Sequence, residues 1–163
     1  MLPDILEPEL DIVFCGTAVG AESARRGHYY AHHGNSFWET LSAVRLTPEQ
    51  LSSDRDRELL RLGIGLTDVA QRKAGMDNEV EAEDFDVEGF TSRIETNAPR
   101  VVCFNGKKAA KIVLRRERVE YGVQPERISN SLVFVAPSTS GSARGYWDVR
   151  YWHDVAALSR TSE

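Results

Sequence analysis

The chain has 163 residues, 41% of them hydrophobic and 28% charged, with a net charge of −5. That is an ordinary globular composition, and the length predicts one domain over residues 1–163, large enough to bury a sizeable core. No apolar run approaches the roughly 20 residues of a membrane-spanning helix, and the acidic balance confines any nucleic-acid contact to a local patch.

Met1 to Leu10 carries acids and prolines in place of a basic-then-apolar leader, which predicts no signal peptide. Asp11 to Gly16 is a short apolar run ending in glycine and reads as a buried, central parallel strand. Thr17-Ala-Val-Gly20 follows as a tight loop of small residues, which lets the backbone approach something closely. A helix opens at Asn35-Ser-Phe-Trp-Glu-Thr-Leu, with Asn35 or Ser36 as its cap. Thr47-Pro-Glu-Gln50 has the form of a capping box with proline at the first helical position, predicting a second helix that ends near Gly63. Gly65 to Val69 is a loop or short strand. Residues 76 to 88 are acidic and face no base, which reads as a solvated connection, and Asp86 is placed to cap a helix running to about Asn97. Arg100 to Gly106 is another strand ending in glycine, and Lys107 to Arg118 reads as the helix after it. Ser131 to Val135 is a third strand. It enters the small, polar loop Pro137 to Arg144, and a last helix is expected from Gly145 to Ser159.

This alternation predicts an α/β layered fold with a mainly parallel sheet, whose ligand site lies at the carboxyl ends of the strands. The loops 16–35, 65–72 and 136–145 therefore carry the functional expectation. Cys15 and Cys103 are too few for an iron–sulfur cluster or a structural zinc, and their apolar settings read as buried thiols of a reducing, cytoplasmic compartment. His28, His32 and His33 have no cysteine or carboxylate at matching spacing, so no metal is expected. Residues 100–127 hold eight bases against three acids, and helical spacing puts Lys108, Lys111, Arg115 and Arg118 on one face, which is equally the pattern of a plain solvated helix. Gly106-Lys107-Lys108 lacks the full spacing of a phosphate-binding loop.

The same loops carry a family resemblance. Asp4-Ile-Leu, Val13-Phe-Cys-Gly, Ala31-His32, Asn35 and Phe37-Trp38 resemble, in order and spacing, the mismatch-specific uracil-DNA glycosylases, the branch that includes the thymine-DNA glycosylases. The first motif there, Gly-Ile-Asn-Pro-Gly, stands here as Gly16-Thr-Ala-Val-Gly20. The serine-rich third motif stands as Pro137-Ser-Thr-Ser-Gly-Ser-Ala-Arg144, and Gly65 to Arg72 matches a Gly-x-Thr loop between them. The Phe104 to Lys107 pattern fits as well.

The resemblance implies a three-layer α/β/α sandwich that flips a deaminated base, chiefly uracil, out of duplex DNA and hydrolyses its bond to the sugar. It implies a base pocket of Gly16, Thr17, Ala18, Ser23, Tyr30 and Asn35, with Tyr30 (Tyr29 as the neighbouring alternative) stacking on the base. It further implies a DNA-binding loop of Ser138, Thr139, Ser140, Gly141, Ser142, Ala143 and Arg144, the last two as the wedge that fills the hole left by the base. Phe37 and Trp38 read as core.

One position departs from the family. The asparagine that positions the attacking water falls on Ala18, which cannot hold one. Asp68 is the candidate to replace it, with Glu22 second, since a carboxylate can orient water and stabilise an oxocarbenium-like sugar. Apart from the resemblance, Asp68 reads as a turn or cap residue and Glu22 as a solvated acid. Attack by water needs no lysine Schiff base, so a monofunctional, cofactor-free enzyme is expected, and it is expected to be a monomer because one base-flipping domain needs no partner subunit. Two alternatives stay open: an inactive family member that binds damaged DNA or a partner, and a nucleotide-binding α/β protein that uses the serine loop.

Overall fold

Five short, mostly apolar segments build the sheet. In the computed structural model, which describes residues 2–70 and 85–160, they are Ile12–Gly16 (β1), Ile64–Asp68 (β2), Val101–Asn105 (β3), Gly122–Ile128 (β4) and Ser131–Ala136 (β5). Their order is β2-β1-β3-β5-β4. The first four strands of that order run parallel, and β4 pairs antiparallel with β5 at the edge.

Side chains alternate between the two faces, and both faces are covered. Ile12, Phe14, Val101, Cys103 and Phe134 pack against Phe37 and Leu41 of α2 (Phe37–Ala43) and Trp152 and Val155 of α5 (Val149–Arg160). Val13, Cys15, Val102, Phe104 and Val135 pack under Phe90 and Ile94 of α3 (Val87–Asn97) and Ala109 and Ala110 of α4 (Lys107–Leu114). Two-sided burial is why β1 and β3 read as unbroken apolar runs. The result is the expected three-layer α/β/α sandwich. Both cysteines are free and buried, and desolvation pushes both thiols above their ordinary range. Among the described residues no helix is long and apolar enough to cross a membrane.

Several local expectations are corrected. No helix starts at Thr47. Thr47 is buried, its amide and that of Leu46 bond back to the Leu41 carbonyl, and helical structure begins only at Ser53, as a 3-10 segment to Leu62. Long-range bonds set that start: buried Asp56 accepts the Tyr29 backbone N–H at 3.0 Å and lies 3.3 Å from His28 Nδ1. Gly65 to Val69 resolves as strand β2. The β4 strand carries no clear strand signal in the sequence because Pro125 interrupts it. It is tolerated because β4 is an edge strand and its register shifts between Val123 and Arg127. A short helix, α1 (Ala21–Arg26), lies within the first loop. Helix α4 stops at Leu114 because Arg115 turns left-handed, with φ of 57°, so Arg118 does not extend a row with Lys108 and Lys111. Gly141–Tyr146 is a separate 3-10 turn, and α5 starts at Val149 instead of Gly145. Asp86 does cap α3, accepting from Gly89 N at 2.9 Å. The acidic stretch 76–84 and the loop residues Gln71 and Arg72 lie outside the described residues.

Candidate active site

The parallel register sets the site. Gly16 pairs with Asp68 and Asn105 with Ala136, so the carboxyl ends of β1, β2, β3 and β5 share one edge. A cavity of about 380 Å³ opens there, where ligands of open α/β sheets bind. Gly16, Thr17, Ala18, Ser23, Tyr30, Asn35 and Asp68 all line it, with Ser138, Thr139 and Ser140 closing one side.

Asp68 is the buried carboxylate of this cavity, 5% exposed. Burial is the main force pushing its pKa up to about 8, and the Asp4 carboxylate adds to it. The Arg93 guanidinium and a backbone hydrogen bond from Gly16 pull the other way. Arg93 sits between the two acids. Its Nε is 2.8 Å from Asp4 Oδ2, and one terminal nitrogen donates to the Asp68 carbonyl at 2.9 Å, while the Thr67 hydroxyl donates to Asp4 at 2.7 Å. A buried carboxyl with a raised pKa that lines a cleft is equipped for proton handling. Its seat depends on a missing side chain: a Cβ on Gly16 would lie 2.7 Å from Asp68 Oδ1. Gly16→Ala should therefore destabilise the fold by about 1–3 kcal/mol and displace the carboxyl. Denaturant melts beside cleavage rates will check both effects.

Glu22 also lines the cavity, but it is engaged by Arg25 and Arg26 of its own helix. Desolvation raises its pKa, yet the Arg25 hydrogen bond and the two positive charges outweigh it and hold the group below the usual range. A carboxylate so paired is a weak base.

Tyr30 contributes a ring and a hydroxyl. The ring stacks on Phe37 with centroids 4.0 Å apart, so one face is covered from within. Burial and the Asp68 charge hold the phenol protonated, well above its ordinary range, and the neighbouring Asn105 amide offsets this only in part. The hydroxyl is buried without a well-aligned partner among the described residues. Asn105, at the end of β3, was not anticipated. Thr139 clamps its amide from both sides: Thr139 N donates to Oδ1 at 3.0 Å and Nδ2 donates to the Thr139 hydroxyl at 2.9 Å. The clamp fixes which way the amide points, and one amide hydrogen and one lone pair are left over.

Residues 3–160 match the family model of the uracil DNA glycosylase superfamily. The chain belongs to the uracil DNA glycosylase superfamily. It is also similar to the solution NMR structure of a candidate uracil DNA glycosylase from Methanosarcina acetivorans, with 25% identity and a TM-score of 0.68 over 98% of this chain and 94% of that one.

Against that superfamily the remaining predicted site residues separate into groups. Ser36 is the N-cap residue of α2, without a side-chain cap bond; Asn35 precedes it, its Oδ1 accepting from Phe37 N at 3.0 Å, and lines the cavity. Ser23 holds the Ala31 backbone N–H at 3.0 Å, a structural bond at the pocket wall. Tyr29 is 4% exposed and donates to the Pro3 carbonyl, whereas the Tyr30 hydroxyl, also buried, has no well-aligned partner among the described residues. His32 lines the cavity and stacks on His33, whereas His28 serves Asp56. No group of metal-ligating side chains assembles among the described residues. In the serine loop, Thr139 differs from expectation. It is 2% exposed and committed to Asn105, whereas Ser138 and Ser140 are half-buried and Ser142 is exposed. The loop is anchored by Trp152, which donates to the Pro137 carbonyl at 2.9 Å. Gly141 is set against the Gly34 carbonyl, so closely that a Cβ there would lie 2.9 Å from it. Ala143 and Arg144 stand on the 3-10 turn outside the cavity, with Arg144 exposed.

Proposed function

We propose that the chain is a monofunctional DNA glycosylase of the mismatch-specific branch. On this reading it flips a deaminated base, chiefly uracil, into the cavity at the ends of β1, β2, β3 and β5 and hydrolyses its N-glycosidic bond. The observation that carries the proposal is a buried carboxylate, Asp68, facing a base-sized cavity in a fold of this superfamily. In its ionised form Asp68 orients a water toward the sugar C1′ and stabilises the positive charge that develops there as the bond to the base breaks. The water oxygen bonds to C1′, the base leaves with the bonding electron pair, and a proton from the water passes to Asp68 and then to the departed base, which restores the carboxylate. The products are the free base and an abasic site.

The clamped Asn105 amide supplies a donor and an acceptor for a base edge. Discrimination by such groups is strong because a wrong edge leaves them unpaired. Ala18 leaves room that a larger residue would fill, and we extend the substrate range to hypoxanthine or xanthine on that ground. Ser138, Ser140 and Ser142 hold the flanking phosphates, and Arg144 enters the space vacated by the base. The enzyme works as a monomer on nucleoid DNA in the cytoplasm.

The nucleotide-binding alternative fits the cavity less well. Among the described residues its wall carries Glu22 and Asp68 but no lysine or arginine to neutralise a polyphosphate. Single-turnover reactions on labelled duplexes carrying uracil, thymine, hypoxanthine or xanthine test the proposal. Abasic product from uracil is expected, with slower product from the purines. No product from any lesion would refute it, and cleavage of uracil alone would remove the extension to purines.

A further inference from the structure

Ser138 borders three depressions. One is the cavity with Asp68. The second, of about 340 Å³, lies between Ser36, Arg144 and Trp147. The third is a groove of about 260 Å³ walled by Gly106, Lys107, Tyr121, Ala143 and Tyr146. The turn Gly141–Tyr146 thus divides two grooves, with Arg144 on one side and Tyr146 on the other.

Tyr146 is 74% exposed, the most exposed large hydrophobic residue among those described, and no residue of its turn is buried. A lone exposed ring is unremarkable in itself. This one, however, faces a groove that also holds a cation and a second aromatic ring: Lys107 Nζ lies 4.4 Å from the Tyr121 ring centroid. Lys107 is also the first residue of α4, whose first turn carries no acid and whose N-terminus has no side-chain cap, so the helix adds positive potential at the same spot. An aromatic platform beside a cation is the chemistry that binds one unit of a nucleic-acid strand, the base by stacking and the phosphate by charge. The groove shares Ser138 with the cavity that takes the flipped base, which fits an adjacent nucleotide of the same strand.

We propose that the Lys107–Tyr121–Tyr146 groove is a second nucleotide subsite, in which the base flanking the lesion stacks on Tyr146 and its phosphate pairs with Lys107. This rests on the DNA glycosylase reading, and the test separates the two. The probe is a duplex containing 2′-fluoro-deoxyuridine, which resists cleavage, with 2-aminopurine placed on either side of it in turn. The wild type should change the 2-aminopurine fluorescence on one side. Tyr146→Ala should abolish that change and weaken binding by about tenfold, and Tyr146→Phe should retain both. Lys107→Gln should weaken binding and reduce the slope of log K against log salt by about one. If the wild type binds and both variants match it in affinity, salt slope and fluorescence, the subsite is refuted while the glycosylase reading stands. If the wild type neither binds this duplex nor cleaves the uracil-containing one, both fall together.

Discussion

Asp68→Ala should lower single-turnover cleavage of a uracil-containing duplex by about a hundredfold or more, the usual worth of one positioned acid–base group. The reason lies in what else the cavity contains. Its other carboxylate, Glu22, is held by Arg25 and Arg26 and kept below the ordinary carboxylate range, so it cannot take over. Ala18 offers no polar atom to hold a water. DNA affinity should change little, because the proposed phosphate contacts lie on the serine loop. Rates measured at saturating enzyme beside anisotropy titrations will separate the two effects. A rate within severalfold of wild type would move the chemistry away from Asp68.

The same burial predicts a stability effect of opposite sign. In the unfolded chain Asp68 ionises at the ordinary carboxylate value of 3.8, whereas the folded protein raises it to about 8. Between those values the native state holds a proton that the unfolded state has lost. The contribution of Asp68 is therefore complete below about pH 4 and drains away as pH rises through about 8. Asparagine carries no charge at any of these pH values. Asp68→Asn should accordingly gain stability relative to wild type as pH rises from 5 to 8, by roughly 3–4 kcal/mol, or on the order of 10 °C in Tm for a chain of this length. The amide introduces a constant offset where it meets the Gly16 backbone, so the change with pH is the quantity to read. Thermal melts of both proteins at pH 5, 7 and 9 measure it. A difference that stays flat across that range would mean that Asp68 is ionised in the fold throughout. A gain in stability on removing the proposed catalytic group would mark a site held at the expense of the fold.

Much of this site was visible in the residues because strand ends carry their own punctuation. Gly16 closes β1, and Asn105-Gly106 closes β3 in the same way. That parallel was the available signal for Asn105, which passed unremarked because a polar residue at the end of a strand is common. Asp68 was legible only through the contrast with Ala18 in the family pattern. The groups that tune it were not, since Asp4 and Arg93 are 64 and 25 residues away along the chain and are brought together by their bonds to Thr67, to the Asp68 carbonyl and to each other. Thr47 shows the reverse error. Its capping box is a local signature, overridden by burial of its own side chain and by Asp56, whose bonds to Tyr29 and His28 set where helical structure begins. Tyr146 was absorbed into an expected helix, and its exposure emerged only when the chain was seen to form a separate turn there.

In the proposed reaction the ionised Asp68 carboxylate activates the water that cleaves the base. The most direct test is the pH dependence of kcat/KM for uracil excision, which reports the groups of the free enzyme. The rate should rise with pH, with a midpoint at about 8, and this limb should vanish in the residual activity of Asp68→Asn. A wild-type profile that is flat, or that falls through the same range, would contradict it.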